Sequence, residues 1–171
     1  MNIFIRKARK SDIDRIMPVY EKARAFMRKT GNTTQWVNGY PQRELIEQDI
    51  ETGQFFVCCD SAENLCGCFA FVAGPDPTYS YIEDGQWSWD ESYMVIHRLA
   101  SDGSVQGVAD ACFSWCLEQH PFLRADTHAD NKVMQHILVK NGFIRNGIIY
   151  VADGTPRIAY SLKRVDNMME R

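Results

Sequence analysis

Apolar and polar residues alternate from Ile3 to Ala8, the two-residue period of a strand. The period then lengthens. Ile13, Ile16, Met17, Tyr20, Ala23 and Met27 recur at helical spacing, which predicts a helix that buries one face. Ser11 is placed to cap it, with Asp12 and Asp14 in the first turn, where the dipole favours negative charge. Pro41 suits a first helical position and opens a second helix through Leu45, Ile46 and Ile50. Gln54 to Cys59 and Leu65 to Ala73 read as strands around Asp60-Ser61-Ala62-Glu63-Asn64, and Gly74-Pro75-Asp76-Pro77 ends that hairpin. Residues 78–91, rich in Tyr, Trp, Asp and Ser, read as a long loop. The apolar run Tyr93 to Ala100 suits a central strand covered on both faces. After it come a helix (Gly107 to Gln119), a strand (Phe122 to Thr127) and a helix (Asp130 to Lys140). Gly142 to Val151 and Arg157 to Leu162 close the chain as strands around Asp153-Gly154.

A hairpin first and alternating units second predict an α/β fold with a mixed sheet in a single domain, 1–171. A chain of this length buries roughly two-thirds of its unfolded surface, so neither disulfides nor metals are needed to hold it. Nineteen basic and 22 acidic residues give a net charge of −3, which argues against general affinity for nucleic acid or an anionic membrane. No apolar stretch reaches the length of a membrane span, and the N-terminus lacks the layout of a signal peptide. The six cysteines are therefore expected as thiols in the cytoplasm. Cys58-Cys59 and Cys66-X-Cys68 bring a metal to mind, but strand neighbours point to opposite faces and knuckle spacing is absent. No metal is expected, and small core thiols are the better reading.

The chemistry concentrates between Ile96 and Phe143. A buried strand ends at Leu99-Ala100-Ser101, a small polar loop follows (Ser104, Val105, Gln106), and a helix opens at Gly107-Val108-Ala109. Free backbone N–H groups at a helix N-terminus, with small residues beside them, are what a phosphate needs. Further on, Asp126-Thr127-His128-Ala129-Asp130-Asn131 leads into a helix ending at Lys140-Asn141-Gly142-Phe143.

This order resembles the GNAT superfamily of N-acetyltransferases, which pairs a strand and a phosphate-binding helix with a later Asn-led helix ending in Gly-Phe. The resemblance covers most of the chain, and the spacing from Asn131 to Gly142-Phe143 is its most specific part. It implies a GNAT-like acyl-CoA N-acyltransferase fold, a central mixed sheet flanked by about four helices. It also implies acetyl-CoA as co-substrate and a small-molecule amine, or amino-acid-like compound, as acceptor. Leu99, Ala100, Ser101, Ser104, Val105, Gln106, Gly107, Val108, Ala109, Asn131 and Met134 become the expected acetyl-CoA contacts.

Two departures qualify it. Placing Gly107 and Ala109 on the last small positions of the family's cofactor loop leaves Ser104 where Arg or Gln is usual and makes the loop two residues shorter. An ungapped register starts from Gln106 instead and places Ala109 and Ala111 after it. The gapped register is preferred because it turns Cys112 and Phe113, not Ser114 and Trp115, toward the core. Second, many members carry a tyrosine seven residues after the helix-opening Asn, and it protonates the leaving thiolate; here that position is Leu138. Tyr150 and Tyr160 are substitutes by reach alone; a water, or no group at all, is the other option.

His97, on the strand expected to border the acetyl group, is the favoured general base, since histidine can take a proton from an ammonium near neutral pH. The bland alternative is a buried histidine bonded to a neighbour. His128 is read as capping the helix after it. Trp36, Tyr40 and Trp89 fall in loops and are the expected acceptor contacts; covering the core edge is their other reading. Glu83, Asp84, Asp90 and Glu91 are acidic loop residues that could draw in an amine. The reading from another class is a catalytically degenerate acyl-CoA-binding or interaction module. Exposed strand edges can pair two copies, so a homodimer is a further expectation.

Overall fold

The computed structural model describes residues 2–165. Among these, the predicted periods become seven strands and four α-helices: β1 (Phe4–Lys7), α1 (Ile13–Lys29), α2 (Arg43–Glu51), β2 (Phe55–Cys59), β3 (Leu65–Ala73), β4 (Met94–Ser101), α3 (Val108–Gln119), β5 (Phe122–Thr127), α4 (Lys132–Lys140), β6 (Ile144–Tyr150) and β7 (Pro156–Lys163). The strands form one mixed sheet in the order β1-β2-β3-β4-β5-β7-β6. Every neighbouring pair is antiparallel except β4 with β5. This is the mixed sheet that the sequence predicts.

Side-chain alternation sorts the core onto the two faces. Phe56 and Cys58 of β2 face α3 and α4 with Cys112, Phe113, Cys116 and Leu138, whereas Phe55, Val57 and Cys59 face α1 and α2 with Ile16, Tyr20 and Ile46. Cys58 and Cys59 thus point to opposite faces, and all six cysteines are buried free thiols. Among the described residues no group of His, Cys, Asp and Glu is arranged to hold a metal ion, and no helix is long and apolar enough to cross a membrane. Beyond the reach of α1 and α2, the second face is covered by the 74–93 segment, which packs Tyr79 on Val95, Ile149 and Ala159. Arg124 clips that segment down: its guanidinium lies 4.0 Å from the Trp87 ring and 3.8 Å from the Tyr93 ring, and it donates to the Trp89 carbonyl at 3.0 Å. The segment holds a short 3₁₀ turn at Pro77–Tyr79 and an isolated bridge from Glu83 to Ile148.

Two helix starts differ from expectation. Ser11 is exposed and caps nothing; Lys10–Asp12 form a 3₁₀ turn, and Asp12 takes the position before α1. The reason lies across the sheet edge. The Asp12 carboxylate accepts from the Arg6 guanidinium at 2.8 and 2.9 Å and from the Arg9 amide at 2.7 Å, which draws it inward and holds it below the usual carboxylate range. Likewise α2 begins at Arg43, two residues after Pro41, because Gln42 is extended at φ −69°, ψ 154°.

Candidate active site

The parallel pair β4–β5 is short. Its ladder registers only Met94 with Leu123 and Val95 with Arg124, after which the strands diverge. On its other side β4 carries a bulge: Cys68 pairs with Ala100 and Ala70 with His97, so Arg98 and Leu99 together oppose Phe69. Arg98 sits at φ 54°, a conformation non-glycine residues rarely adopt. The surroundings hold it there: its carbonyl accepts from the buried Tyr20 hydroxyl at 2.7 Å, and its guanidinium is ion-paired with Asp49 of α2.

The divergence opens a cavity of about 530 Å³ through the sheet. Phe113, Met134 and Leu138 line it from the α3/α4 face; Asp76, Thr78, His97 and Asp126 line it from the opposite face. A smaller cavity of about 140 Å³ continues past Ala100, Ser101, Val108 and Ala109 toward the start of α3, with Phe26 and Val133 exposed at its sides. The two share Met27, Trp36, Leu99, Asn131 and Met134 as walls.

The start of α3 fits an anion. Gly107 holds the position before the helix at φ 84°, with no side-chain cap, and a Cβ placed there meets nothing within 4 Å. The first helical bond runs from the Ala111 amide to the Gly107 carbonyl, so the amides of Val108, Ala109 and Asp110 have no partner inside the helix. Ser104 turns its hydroxyl and amide to Asp102 at 2.5 and 2.9 Å, and the Val105 side chain is buried in the core. What this loop offers a phosphate is main chain. Cys112 and Phe113 are buried and Ser114 is exposed, while Trp115 is partly buried against Phe56, Phe69 and Phe71.

Opposite, His97 Nε2 lies 2.9 Å from the Asp76 carboxylate. Burial alone would raise the Asp76 carboxyl, but hydrogen bonds from His97 and from the Thr78 hydroxyl and amide outweigh it and hold it down at about 2. Asp76 is therefore an anion fixed behind the imidazole. The segment between α1 and α2 closes the cavity from above. Gln35 accepts from the side-chain amides of Asn32 at 3.0 Å and Asn131 at 3.2 Å, and Thr34 meets His128 at 3.1 Å. Trp36 packs edge-on against Tyr20 at 5.5 Å, and the Tyr40 hydroxyl lies 3.5 Å from Arg98 Nη1.

The structure thus brings His97, Trp36, Tyr40, Leu99, Asn131 and Met134 to one pair of connected cavities, with Ala100, Ser101, Val108 and Ala109 beside them. It does not bring Trp89 or Tyr150 there. Trp89 packs on Phe122 at 6.1 Å, at the end of β5 remote from the divergence. The Tyr150 hydroxyl donates to Glu83, so the loop acid engages a tyrosine and lines neither cavity. Tyr160 is buried in the α3/α4-face core, and Leu138 is buried too. His128 accepts from the Asp130 amide at 3.0 Å, one turn short of α4, whose cap is Asn131 accepting from Met134 at 3.1 Å. Asp76, Asp126 and the Gln35 bridge carry no sequence signal: Asp76 reads as turn punctuation, and only the fold sets it against a residue 21 positions later.

No protein-family model and no curated protein matches the chain. Solved structures do. A GNAT-family acetyltransferase from Streptococcus agalactiae is similar over 95% of this chain and 96% of that one, at 35% identity and TM-score 0.87. GNAT-family acetyltransferases from Listeria monocytogenes (19% identity, 95% of each chain, TM-score 0.69) and Bacillus cereus (19% identity, 96% of this chain and 99% of that one, TM-score 0.65) share the fold.

Proposed function

This chain belongs to the GNAT family of acetyltransferases, and on that premise we propose that it is an N-acetyltransferase moving an acetyl group from acetyl-CoA to the primary amine of a small molecule by direct transfer. The observation that carries the reading is the passage through the sheet between β4 and β5: an uncapped helix start lies along one approach and a histidine–carboxylate pair faces the other. Two reactants that enter from opposite faces meet in a geometry that makes their encounter effectively intramolecular.

The residues divide as follows. The amides at the start of α3 hold the diphosphate, and the smaller cavity receives the apolar arm between Ala100, Val108 and Met134. Acetyl-CoA supplies the activated acyl group. Leu99, in the bulge beside the divergence, offers its amide to the thioester carbonyl. His97 Nδ1 takes the proton of the attacking amine, while Nε2–H donates to Asp76, which stabilises the imidazolium. Trp36 and Tyr40 wall the acceptor side. Six buried free thiols suit the reducing cytoplasm. A second reading, acyl-CoA binding without turnover, draws on Leu138, which is apolar and buried where a proton donor is usual.

Thiol release from acetyl-CoA in the presence of primary amines tests both. Turnover with at least one amine, reduced about 100-fold by His97→Ala with coenzyme A affinity retained, is the expected result. Tight coenzyme A binding with no acceptor-dependent thiol release favours the second reading, and unaltered turnover in His97→Ala makes the histidine structural.

A further inference from the structure

Charges lining the larger cavity mostly cancel in pairs. Arg98 is matched by Asp49, and Asp76 is matched by His97 when the imidazole is protonated. At the mouth, Asp153 accepts from the Thr155 hydroxyl and amide, and the nearby Arg157 charge helps hold its carboxyl low. Asp126 is the exception. Its Oδ2 accepts from the Tyr79 hydroxyl at 2.7 Å, and no cation pairs with it among the described residues. Tyr79 is no substitute for a cation, because burial pushes its hydroxyl far above the ordinary range and keeps it neutral. A partly buried carboxylate beside a neutral donor stays uncompensated until a ligand brings positive charge.

Tyr79 also sets where that charge falls. Its ring lies 6.3 Å from the His97 ring, while its hydroxyl holds Asp126. Base and spare carboxylate are therefore separated by one tyrosine on the same side of the sheet.

We infer that Asp126 seats a second cationic centre of the acceptor, so that the substrate class is an aliphatic di- or polyamine; the inference rests on the amine-transfer reading above. The proton balance supports it. The attacking nitrogen must give up a proton to form the amide bond as the thioester C–S bond breaks, and a carboxylate against that nitrogen would resist its deprotonation. Asp126 favours a nitrogen that stays charged throughout. An amino acid would bring its own carboxylate toward Asp126 and Asp76, where like charges repel.

The test compares 1,4-diaminobutane, n-butylamine and 4-aminobutanoate as acceptors at fixed acetyl-CoA. The diamine is expected to exceed n-butylamine in kcat/KM by about tenfold or more, the scale of one charge-assisted hydrogen bond, and Asp126→Asn is expected to bring that ratio near unity. Asparagine keeps an acceptor oxygen for Tyr79, so the packing beneath is preserved. Equal or better use of n-butylamine or 4-aminobutanoate by the unaltered protein overturns the inference, as does a ratio unmoved by Asp126→Asn. Calorimetric titration of the same diamine and monoamine into the protein with coenzyme A isolates this inference from the transfer reading. If thiol release is absent with every amine, the transfer reading fails, while a diamine preference in binding that Asp126→Asn removes still upholds the Asp126 seat; equal binding of the two amines rejects it.

Discussion

The two helices that flank the divergence begin in opposite ways. At α4, Asn131 accepts from the Met134 amide at 3.1 Å and donates to Gln35 at 3.2 Å, so the helix start is closed by its own side chain and tied to the segment above. At α3, the residue in the same position is Gly107, left-handed at φ 84° and without a capping side chain, while the nearest hydroxyl, on Ser104, is turned to Asp102 at 2.5 Å. Relative to glycine, a capping side chain contributes about a few tenths of a kcal/mol, and α3 forgoes it. The difference separates a helix start closed by its own side chain from one left open.

Breaking the open end has the largest expected effect. Gly107→Val has room for its side chain, since a Cβ meets nothing within 4 Å; the left-handed backbone costs a β-branched residue roughly 1–2 kcal/mol, so the chain should still fold. Coenzyme A affinity by calorimetry should fall more than about tenfold, because relieving the strain re-aims the amides. Retained affinity would move the diphosphate elsewhere. Next comes the closed end: Asn131→Ala should cost about 1 kcal/mol, a drop in Tm of about 2–4 °C, with less loss of coenzyme A affinity than Gly107→Val. A larger loss would erase the contrast between the two starts. Smallest is Ser104→Ala, whose hydroxyl serves Asp102; coenzyme A affinity should change less than about threefold, within what one exposed neutral hydrogen bond contributes.

Much of this architecture is legible in the chain, because burial imposes its own period. The alternation of β2 and the helical spacing of α1 both follow from which face meets the core, and Gly107 announces a special backbone position by being glycine. What escapes is pairing at a distance. Ser11 has the composition of a cap, but Arg6 on β1 selects Asp12 instead. Nothing local reveals that β4 and β5 share two ladder positions and then part, or that residue 98 is left-handed without being glycine. Trp89 reads as a pocket aromatic, whereas Arg124 uses the Trp89 carbonyl, together with the ring of Trp87, to fasten a loop. Asp76 and Asp126 escape for the same reason: each gains its meaning from a tyrosine or histidine distant in sequence.

The brevity of the β4–β5 ladder has a mechanical consequence. Four strands lie on one side of that seam and three on the other, and each leaf is stitched internally by long antiparallel ladders. With only two residue pairs joining the leaves edge to edge, spreading them apart is the softest deformation available to the sheet, since it breaks few main-chain bonds. The same gap that opens the cavity therefore also sets the line along which the molecule yields.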